Sequence, residues 1–191
     1  MNASALFMNA AELAITPGKF DLAICGFMAW DDCYDFERNQ FTQPDRKARE
    51  IHRVLKEGGR FIACSWEKQQ DITWMEQKIL EHYPEILEDE EYLERRPIGM
   101  AYEKPAGYQI IFKSAGFKHI ETVTEQEAFV STDEQEWWQM MLHVGWESLL
   151  RKVEPGDLQR VKQAIFRGLQ HFKRADGIHF TKTVLFVSGV R

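Results

Sequence analysis

The chain has 191 residues, of which 44% are hydrophobic and 28% are charged, a composition ordinary for one globular domain. Its formal net charge of −6 argues against a nucleic-acid binder, because affinity for phosphates needs clustered lysine and arginine. No apolar run approaches the roughly 20 residues that span a bilayer, and the first residues do not resemble a secretion signal. A cytoplasmic protein that binds neither nucleic acid nor membranes is therefore expected.

The first strong pattern is an apolar run at residues 20–27, followed by an amphipathic segment. The run has the length of a strand and the continuity that is typical of parallel strands covered by helices. Pro44 suits the first turn of a helix, and the segment after it carries an apolar stripe at helical spacing. The stripe consists of Ala48, Ile51, Val54 and Leu55. A strand followed by a helix is predicted.

Gly58 and Gly59 predict the end of this helix, because glycine readily adopts the left-handed conformation of a C-cap. Residues 60–65 are apolar again and predict a second strand. A strand, a helix and a strand form a crossover unit, and the ligand crevice of such a unit lies at the carboxyl ends of its strands. Residues 26–32 and Ser65–Trp66 therefore mark the predicted functional edge.

The loop at residues 28–43 concentrates aromatic and acidic side chains at this edge, among them Trp30, Asp31 and Asp32. It either covers a ligand, since binding residues gather on loops of a rigid scaffold, or is an ordinary surface loop whose aromatic rings pack locally. The side chains of adjacent residues such as Asp31 and Asp32 usually point apart, and no histidine or third carboxylate stands at a suggestive spacing. No metal site is expected, and both interpretations of the loop stay open.

The remaining segments alternate between helical and strand patterns. Further helices are predicted at residues 71–82, 105–115 and 155–172. Strands are predicted at residues 5–8, 117–124 and 178–190. Another helix carries Trp137 and Met141 and follows the N-cap candidates Ser131 and Thr132. No repeat or linker interrupts the pattern, so residues 1–191 are predicted to form a single domain.

Familiar catalytic and disulfide patterns do not occur in the sequence. There is no Ser-His-Asp arrangement, HExxH pair or phosphate-binding loop, which leaves the common hydrolase and nucleotide-triphosphatase signatures unmatched. The three cysteines, Cys25, Cys33 and Cys64, lack CxxC spacing, and two of them lie in predicted strands. Buried, reduced cysteines are therefore expected rather than a zinc site or a disulfide framework.

Three segments carry a resemblance to a known family: NAAELA at residues 9–14, KFDLAICGF at residues 19–27 and REIHRVLKEGGRFIACSW at residues 49–66. They resemble the class I S-adenosylmethionine-dependent methyltransferases, in particular the group that includes ubiquinone- and menaquinone-biosynthesis methylases. The resemblance implies an α/β fold with a partial Rossmann-like sheet, mostly parallel with an antiparallel last strand, and helices on both faces. Residues 67–104 and 131–175 would be substrate-cap helices.

The resemblance also implies a site. Asn9 and Ala10 would lie at the adenine of S-adenosylmethionine, and Gly26 and Phe27 beside the cofactor. Trp30, Trp66 and His143 would face an unidentified small-molecule substrate. Asn9 stands where the family usually has aspartate, so it keeps an acceptor oxygen without the charge; alternatively it only caps the following turn. No catalytic residue is implied, because methyl transfer from a sulfonium depends largely on aligning donor and acceptor.

One departure from the family affects the functional expectation. The family's glycine-rich cofactor loop precedes the equivalent of NAAELA, which begins here at Asn9, so the chain is interpreted as an N-terminally truncated domain. It is either a methyltransferase, whole or in part, or a non-catalytic interaction module. Loss of the first strands would leave the edge of the 20–27 strand unpaired, which predicts a homo-oligomer or a partner that supplies the missing half.

Overall fold

The structure, a computed structural model, describes residues 5–27, 34–35, 40–88 and 104–191. The chain forms two compact units. The first contains Met1–Trp66, Ile98–Glu125 and Val184–Arg191, and the second contains Glu67–Pro97 and Gln126–Thr183. Within the described ranges, none of the helices combines the length and the apolarity needed to cross a bilayer.

The first unit is built on the predicted crossover. Strand β1 (Phe20–Gly26) is followed by the hairpin of β2 (Tyr34–Asp35) and β3 (Gln40–Phe41), by helix α1 (Arg46–Val54) and by β4 (Leu55–Gln69). Strands β1 and β4 are parallel neighbours, with Ala23 opposite Phe61 and Cys25 opposite Ala63. The prediction that residues 20–27 and 60–65 form adjacent parallel strands is therefore confirmed.

The end of α1 differs from the expectation. The helix ends at Val54, and Gly58 and Gly59 lie inside β4 rather than at a C-cap. Gly58 does adopt the left-handed conformation, with φ of 75°, but it does so in a strand whose register shifts beside Phe20. A Cβ on Gly59 would stand 2.8 Å from the carbonyl oxygen of Lys56, which is too close for any other residue. The glycine pair thus shapes an irregular strand.

Each predicted helical segment after α1 is matched by a helix to within a few residues, and the short helix Glu147–Leu150 is an addition that the sequence pattern did not predict. The helices after α1 are α2 (Gln70–His82), α3 (Pro105–Ser114), α4 (Glu134–Met141), α5 (Glu147–Leu150) and α6 (Pro155–Leu169). Short 3-10 turns cover Pro84–Glu88 and Gln170–Phe172, and a π-helical turn, Leu142–Trp146, joins α4 to α5. The predicted caps of α4, Ser131 and Thr132, are wrong: the side chain of Asp133 accepts hydrogen bonds from two first-turn N–H groups.

The later strands complete one sheet. They are β5 (Lys118–Ser131), β6 (Lys173–Arg174) and β7 (Gly177–Val190), and the main strand order is β1, β4, β7, β5. The N–H of Gly58 donates to Arg191, 3.2 Å away, and the N–H of Arg191 donates to Gly59, 2.9 Å away. The last strand is therefore antiparallel to β4, and the mixed α/β sheet is confirmed. Residues 5–8 form no strand, so that expectation is wrong.

The core of the first unit lies on one face of its sheet. Helices α1 and α3 pack there against β4 and β7, and the ring of Phe61 stacks on that of Phe112 with centroids 4.8 Å apart. Burying a phenylalanine fully is worth about 1.5–3 kcal/mol, so this face carries much of the unit's stability. The opposite face of β1, here called the open face, consists of Phe20, Leu22 and Ile24, which are 43%, 48% and 72% exposed.

The second unit packs its helices around a separate aromatic core. Trp137 and Met141 of α4 are fully buried together with Met75 and Ile79 of α2 and residues of α6. An ion pair lies inside this unit: Lys182 Nζ is 2.7 Å from Asp71 Oδ2, and the two side chains are 5% and 0% exposed. Charges this deeply buried are tolerated only as a pair, so Asp71 and Lys182 depend on each other.

Candidate functional site

The carboxyl ends of β1 and β4 bring together two of the predicted site residues. Phe27 follows β1 directly, and its N–H donates to the carbonyl oxygen of Cys64, 2.8 Å away. Its φ is 52°, a left-handed conformation that is uncommon for a residue other than glycine. The backbone turns there, and the Phe27 ring lies 4.5 Å from the ring of Trp66, centroid to centroid. An aromatic pair thus stands at the edge that the crossover predicts for a ligand.

Gly26 leaves this edge open in front of the aromatic pair. It is an exposed residue at the end of β1. A Cβ placed on it would meet only the sulfur of Cys64, at 3.7 Å, which is an ordinary contact. Packing inside the protein therefore does not require glycine at this position. The missing side chain instead leaves space at the strand end, where backbone groups can approach a ligand.

Asn9 has the local role that the alternative interpretation gave it. Its Oδ1 accepts a hydrogen bond from the N–H of Ala11, 2.9 Å away, and its carbonyl oxygen accepts one from Glu12 at 3.0 Å. The side chain is exposed, and an amide oxygen has a second lone pair. Capping the turn and accepting a hydrogen bond from an adenine amino group are therefore compatible.

Helix α1 holds the loop that carries Asn9 and Ala10. Arg53 donates to the carbonyl oxygens of Leu13 and Ile15, at 2.8 and 2.7 Å, while Glu50 accepts from the N–H of Leu13 at 2.9 Å. The Glu50 carboxylate also binds Arg53 at 2.7 Å, and this hydrogen bond is the main reason that the pKa of Glu50 is lowered. We call this arrangement the loop clamp. Sequence reasoning missed it, although Glu50 and Arg53 are one helical turn apart.

The thiol of Cys25 is not suited to nucleophilic chemistry. Cys25 and Cys64 are free and half-buried. Burial first, and the neighbouring Cys64 second, raise the pKa of Cys25, which keeps it protonated at neutral pH. Within the described residues no group of three histidine, cysteine or acidic side chains is arranged to hold a metal ion. Cys33, Asp31 and Asp32 lie outside the described residues.

The two remaining predicted site residues are Trp30 and His143. Trp30 lies outside the described residues. His143 belongs to the second unit, where it sits exposed on the π-helical turn with its Nδ1 2.6 Å from the carbonyl oxygen of Gln139. Turns of this kind often occur at functional positions, but His143 has no described partner that would mark it as an acid or base.

Comparison with known proteins places the fold. No family model and no curated protein matches the sequence. A protein of Bacillus halodurans that is provisionally described as a methyltransferase matches with a TM-score of 0.50 at 16% identity, over 96% of this chain and 69% of that one. A provisionally described type II methyltransferase of Anaeromyxobacter dehalogenans matches with a TM-score of 0.52 at 13% identity, and YcgJ of Bacillus subtilis with 0.50 at 14%, both over the same shares.

The chain has the Rossmann-like fold of the methyltransferases. In a fold of this type, ligands bind outside the carboxyl ends of the strands. Gly26, Phe27 and Trp66 lie at that edge, which makes it the candidate site. At 13 to 16% identity the likeness is one of fold.

Proposed function

We propose that this protein is an S-adenosylmethionine-dependent methyltransferase, or the larger part of one, that acts on a small molecule. The observation that carries the proposal is the strand order β1, β4, β7, β5 with an aromatic pair at the carboxyl edge of its parallel strands, in a chain that matches methyltransferase folds over 96% of its length. Fold alone does not determine activity, so the proposal depends on the site residues.

The residues at the edge suit the flat, apolar adenine end of the cofactor. The ring of Phe27 offers an aromatic wall, Gly26 leaves room for close approach, and Asn9 keeps a lone pair for the adenine amino group. The loop clamp fixes the segment in which Asn9 and Ala10 lie. When bound, the cofactor would supply a methyl group on a sulfonium.

The chain's own contribution would be alignment. A reaction of this type gains mainly from holding donor and acceptor at the right distance and in line, and a preformed edge can do this without a catalytic acid or base. We assign the substrate side to Trp30, Trp66 and His143, with residues 67–104 and 131–175 as the substrate cap. We also propose that the protein is located in the cytoplasm.

The direct test is calorimetric titration of the purified chain with S-adenosylmethionine. We expect binding in the micromolar range and a large loss of affinity in Gly26→Val, because the added side chain would fill the edge. The Cβ that this variant adds makes only an ordinary contact within the fold. Val123→Ala, which shortens another exposed side chain of the first unit, is the control. No binding by the native chain, or equal binding by Gly26→Val, would contradict the assignment.

The open face of β1 supports a second proposal, which concerns association with another protein chain. In the described part of the chain, β1 pairs with β4 on one edge only, and three bulky side chains without charge stand in water on its open face. Unpaired apolar edges promote association. We infer that two copies of the chain pair through β1, because a two-fold interface uses one patch twice and an uncharged patch is compatible with itself.

Light scattering after size-exclusion chromatography tests this inference. We expect a dimer for the native chain and a monomer for Ile24→Lys, which places a charge in the open face. Ile110→Lys is the matched control, because Ile110 lies on α3 of the same unit and is 57% exposed. A native chain that is monomeric at all concentrations would reject pairing between copies.

A further inference from the structure

The second unit contains a cavity of its own. Its volume is about 460 Å³, which lies within the range of small-molecule sites. The walls come from the first turns of α2, from β5, from the start of β7 and from the 3-10 turn after α6. All of its lining residues belong to the second unit.

Two aromatic rings form the apolar part of the cavity. Trp74 and Phe172 are half-buried and meet edge to face with centroids 5.3 Å apart. Trp74 is fixed from behind: its ring meets that of Trp137 at 5.7 Å, and a Cβ on Gly168 of α6 would stand only 2.7 Å from Trp74 Cζ2. Phe172 in turn lies 4.4 Å from Phe180 of the buried core. The rings are therefore held in place before any ligand arrives.

The polar part of the cavity is formed almost entirely by neutral groups. Amide side chains of Gln77 and Gln126 and the hydroxyl group of Thr183 line it, and each of these groups can donate as well as accept a hydrogen bond. The Thr73 hydroxyl, which donates to the carbonyl oxygen of Gln69 at 3.1 Å, adds an acceptor. Lys68 is the one charged side chain among the described lining residues. The side chain of Gln70 accepts from the N–H of Thr181 at 2.8 Å and so fixes the start of β7 against the start of α2.

We propose that this cavity binds a sugar-like ring, a ligand with several hydroxyl groups around an apolar ring face and at most one negative charge. The hydroxyl groups match amides and hydroxyls that both donate and accept, and the apolar face of the ring matches the fixed surfaces of Trp74 and Phe172. A cationic ligand would meet Lys68 and no described carboxylate in the lining, so positive charge is selected against. Most of the lining belongs to the segments proposed above as the substrate cap, but the assignment of a sugar-like ring rests on the lining alone and not on methyl transfer.

Three methyl glycosides that differ only in the substituent at C6, and through it in charge, test the proposal: methyl β-glucoside, methyl β-glucuronide and methyl 6-amino-6-deoxy-β-glucoside. Saturation-transfer NMR on the full chain, without cofactor, reports which ring protons contact the protein. We expect the neutral and the anionic ring to bind, the anionic ring about two- to fivefold more tightly through one exposed charge pair, and the cationic ring more weakly than either. The advantage of the anionic ring should vanish in Lys68→Gln.

Two further variants locate the binding within the cavity. Gln77→Ala removes an exposed polar group of the wall and should weaken all three rings, whereas Gln163→Ala, an exposed glutamine of α6 outside the cavity, should weaken none. Gly168→Ala places a methyl group against Trp74 and should displace its ring. This variant should reduce the saturation transfer to the glycoside's ring protons, but the anionic glycoside should still bind more tightly than the neutral one. Absence of transfer to every ring, equal binding of the cationic ring, or insensitivity to both Lys68→Gln and Gln77→Ala would overturn the proposal. Its failure would leave cofactor binding at Gly26 unaffected.

Discussion

The rings of Phe27 and Trp66 lie 4.5 Å apart, centroid to centroid, with an angle of 30° between their planes. Phe27 reaches this position with φ of 52°, a conformation that costs most residues about 1–3 kcal/mol when it is held in place. The backbone is therefore strained at the point where the two strands present the candidate cofactor edge. Phe27 therefore has two roles that can be tested separately: its ring contacts Trp66, and its backbone holds a strained conformation. Two substitutions distinguish these roles.

Phe27→Gly and Phe27→Ala both remove the ring, but only glycine relieves the left-handed conformation. We expect the glycine variant to be about 1 kcal/mol more stable than the alanine variant, because alanine keeps a Cβ at positive φ. Both should bind S-adenosylmethionine more weakly than the native chain, since the aromatic wall is gone. Urea unfolding and calorimetric titration measure the two effects, and equal stability of the variants would show that Phe27 is not strained.

The loop clamp predicts a connection between α1 and the adenine side of the site. Arg53→Met removes the hydrogen bonds to the carbonyl oxygens of Leu13 and Ile15, so the loop that carries Asn9 should open more often. We expect faster hydrogen exchange at the Leu13 amide and weaker cofactor binding. Arg49→Met is the control, because Arg49 pairs with Asp45 on the same helix. Unchanged exchange at Leu13 in Arg53→Met would show that the clamp does not hold the loop.

The ion pair of Asp71 and Lys182 predicts strong non-additivity. Asp71→Leu or Lys182→Met alone leaves one buried charge without its partner, and each should reduce the free energy of unfolding by about 3–5 kcal/mol. The double variant removes both charges and should lose much less than the sum, because apolar side chains can replace a buried pair.

The exposed pair Lys56 and Asp21, whose side chains are 50% and 83% exposed, is the matched control for a double-mutant cycle. Its removal should cost at most about 1 kcal/mol, because water screens an exposed pair. Urea midpoints give all of these values. Additive losses at Asp71 and Lys182 would mean that the two charges do not stabilise each other.

Glu134 at the start of α4 predicts a pH dependence of stability. Hydrogen bonds from the Lys173 ammonium, from its own backbone N–H and from the Gln170 amide lower the pKa of Glu134 to about 2, from an ordinary 4.5. Because the folded state holds the carboxylate more strongly, this contribution is complete above the ordinary pKa and is lost as the pH falls towards about 2.

The measurement is the urea midpoint of the native chain and of Glu134→Gln between about pH 5 and pH 2. We expect the native midpoint to fall more steeply, since the variant has no carboxylate to protonate at this position. Gln163→Ala, which changes an exposed uncharged side chain of α6, should keep the native slope. Parallel curves for the native chain and Glu134→Gln would show that the three hydrogen bonds do not stabilise the carboxylate in solution.

Local sequence patterns predicted most of the fold. The errors arose where contact with a distant segment determines the local structure. The apolar run at residues 20–27 and the stripe of α1 specify their own structure. Gly58 was assigned to a helix end because a left-handed glycine serves a C-cap as well as an irregular strand, and only the pairing with β1 distinguishes them. Ser131, Thr132 and Asp133 can all cap a helix; β5 extends as far as Ser131, and Asp133 takes the role.

The residues at the strand ends of the candidate site could be predicted from the sequence. The long-range contacts that hold the surrounding segments could not. Gly26, Phe27 and Trp66 follow from the rule that crossover strands bind ligands at their carboxyl ends. The clamp of Arg53 on Leu13 joins residues 40 positions apart, and the cavity around Trp74 draws on segments up to 111 positions apart at the contact of Gln70 with Thr181. Contacts of this range leave no periodicity in the sequence.

The open face of β1 has a consequence for the life of the protein in a cell. Side chains such as Ile24, which is 72% exposed, are what chaperones and proteases recognise on unfolded chains. An uncovered copy would be handled as damaged, whereas a covered copy would persist. Cellular abundance of this chain should therefore follow the supply of whatever shields that strand, with surplus molecules degraded.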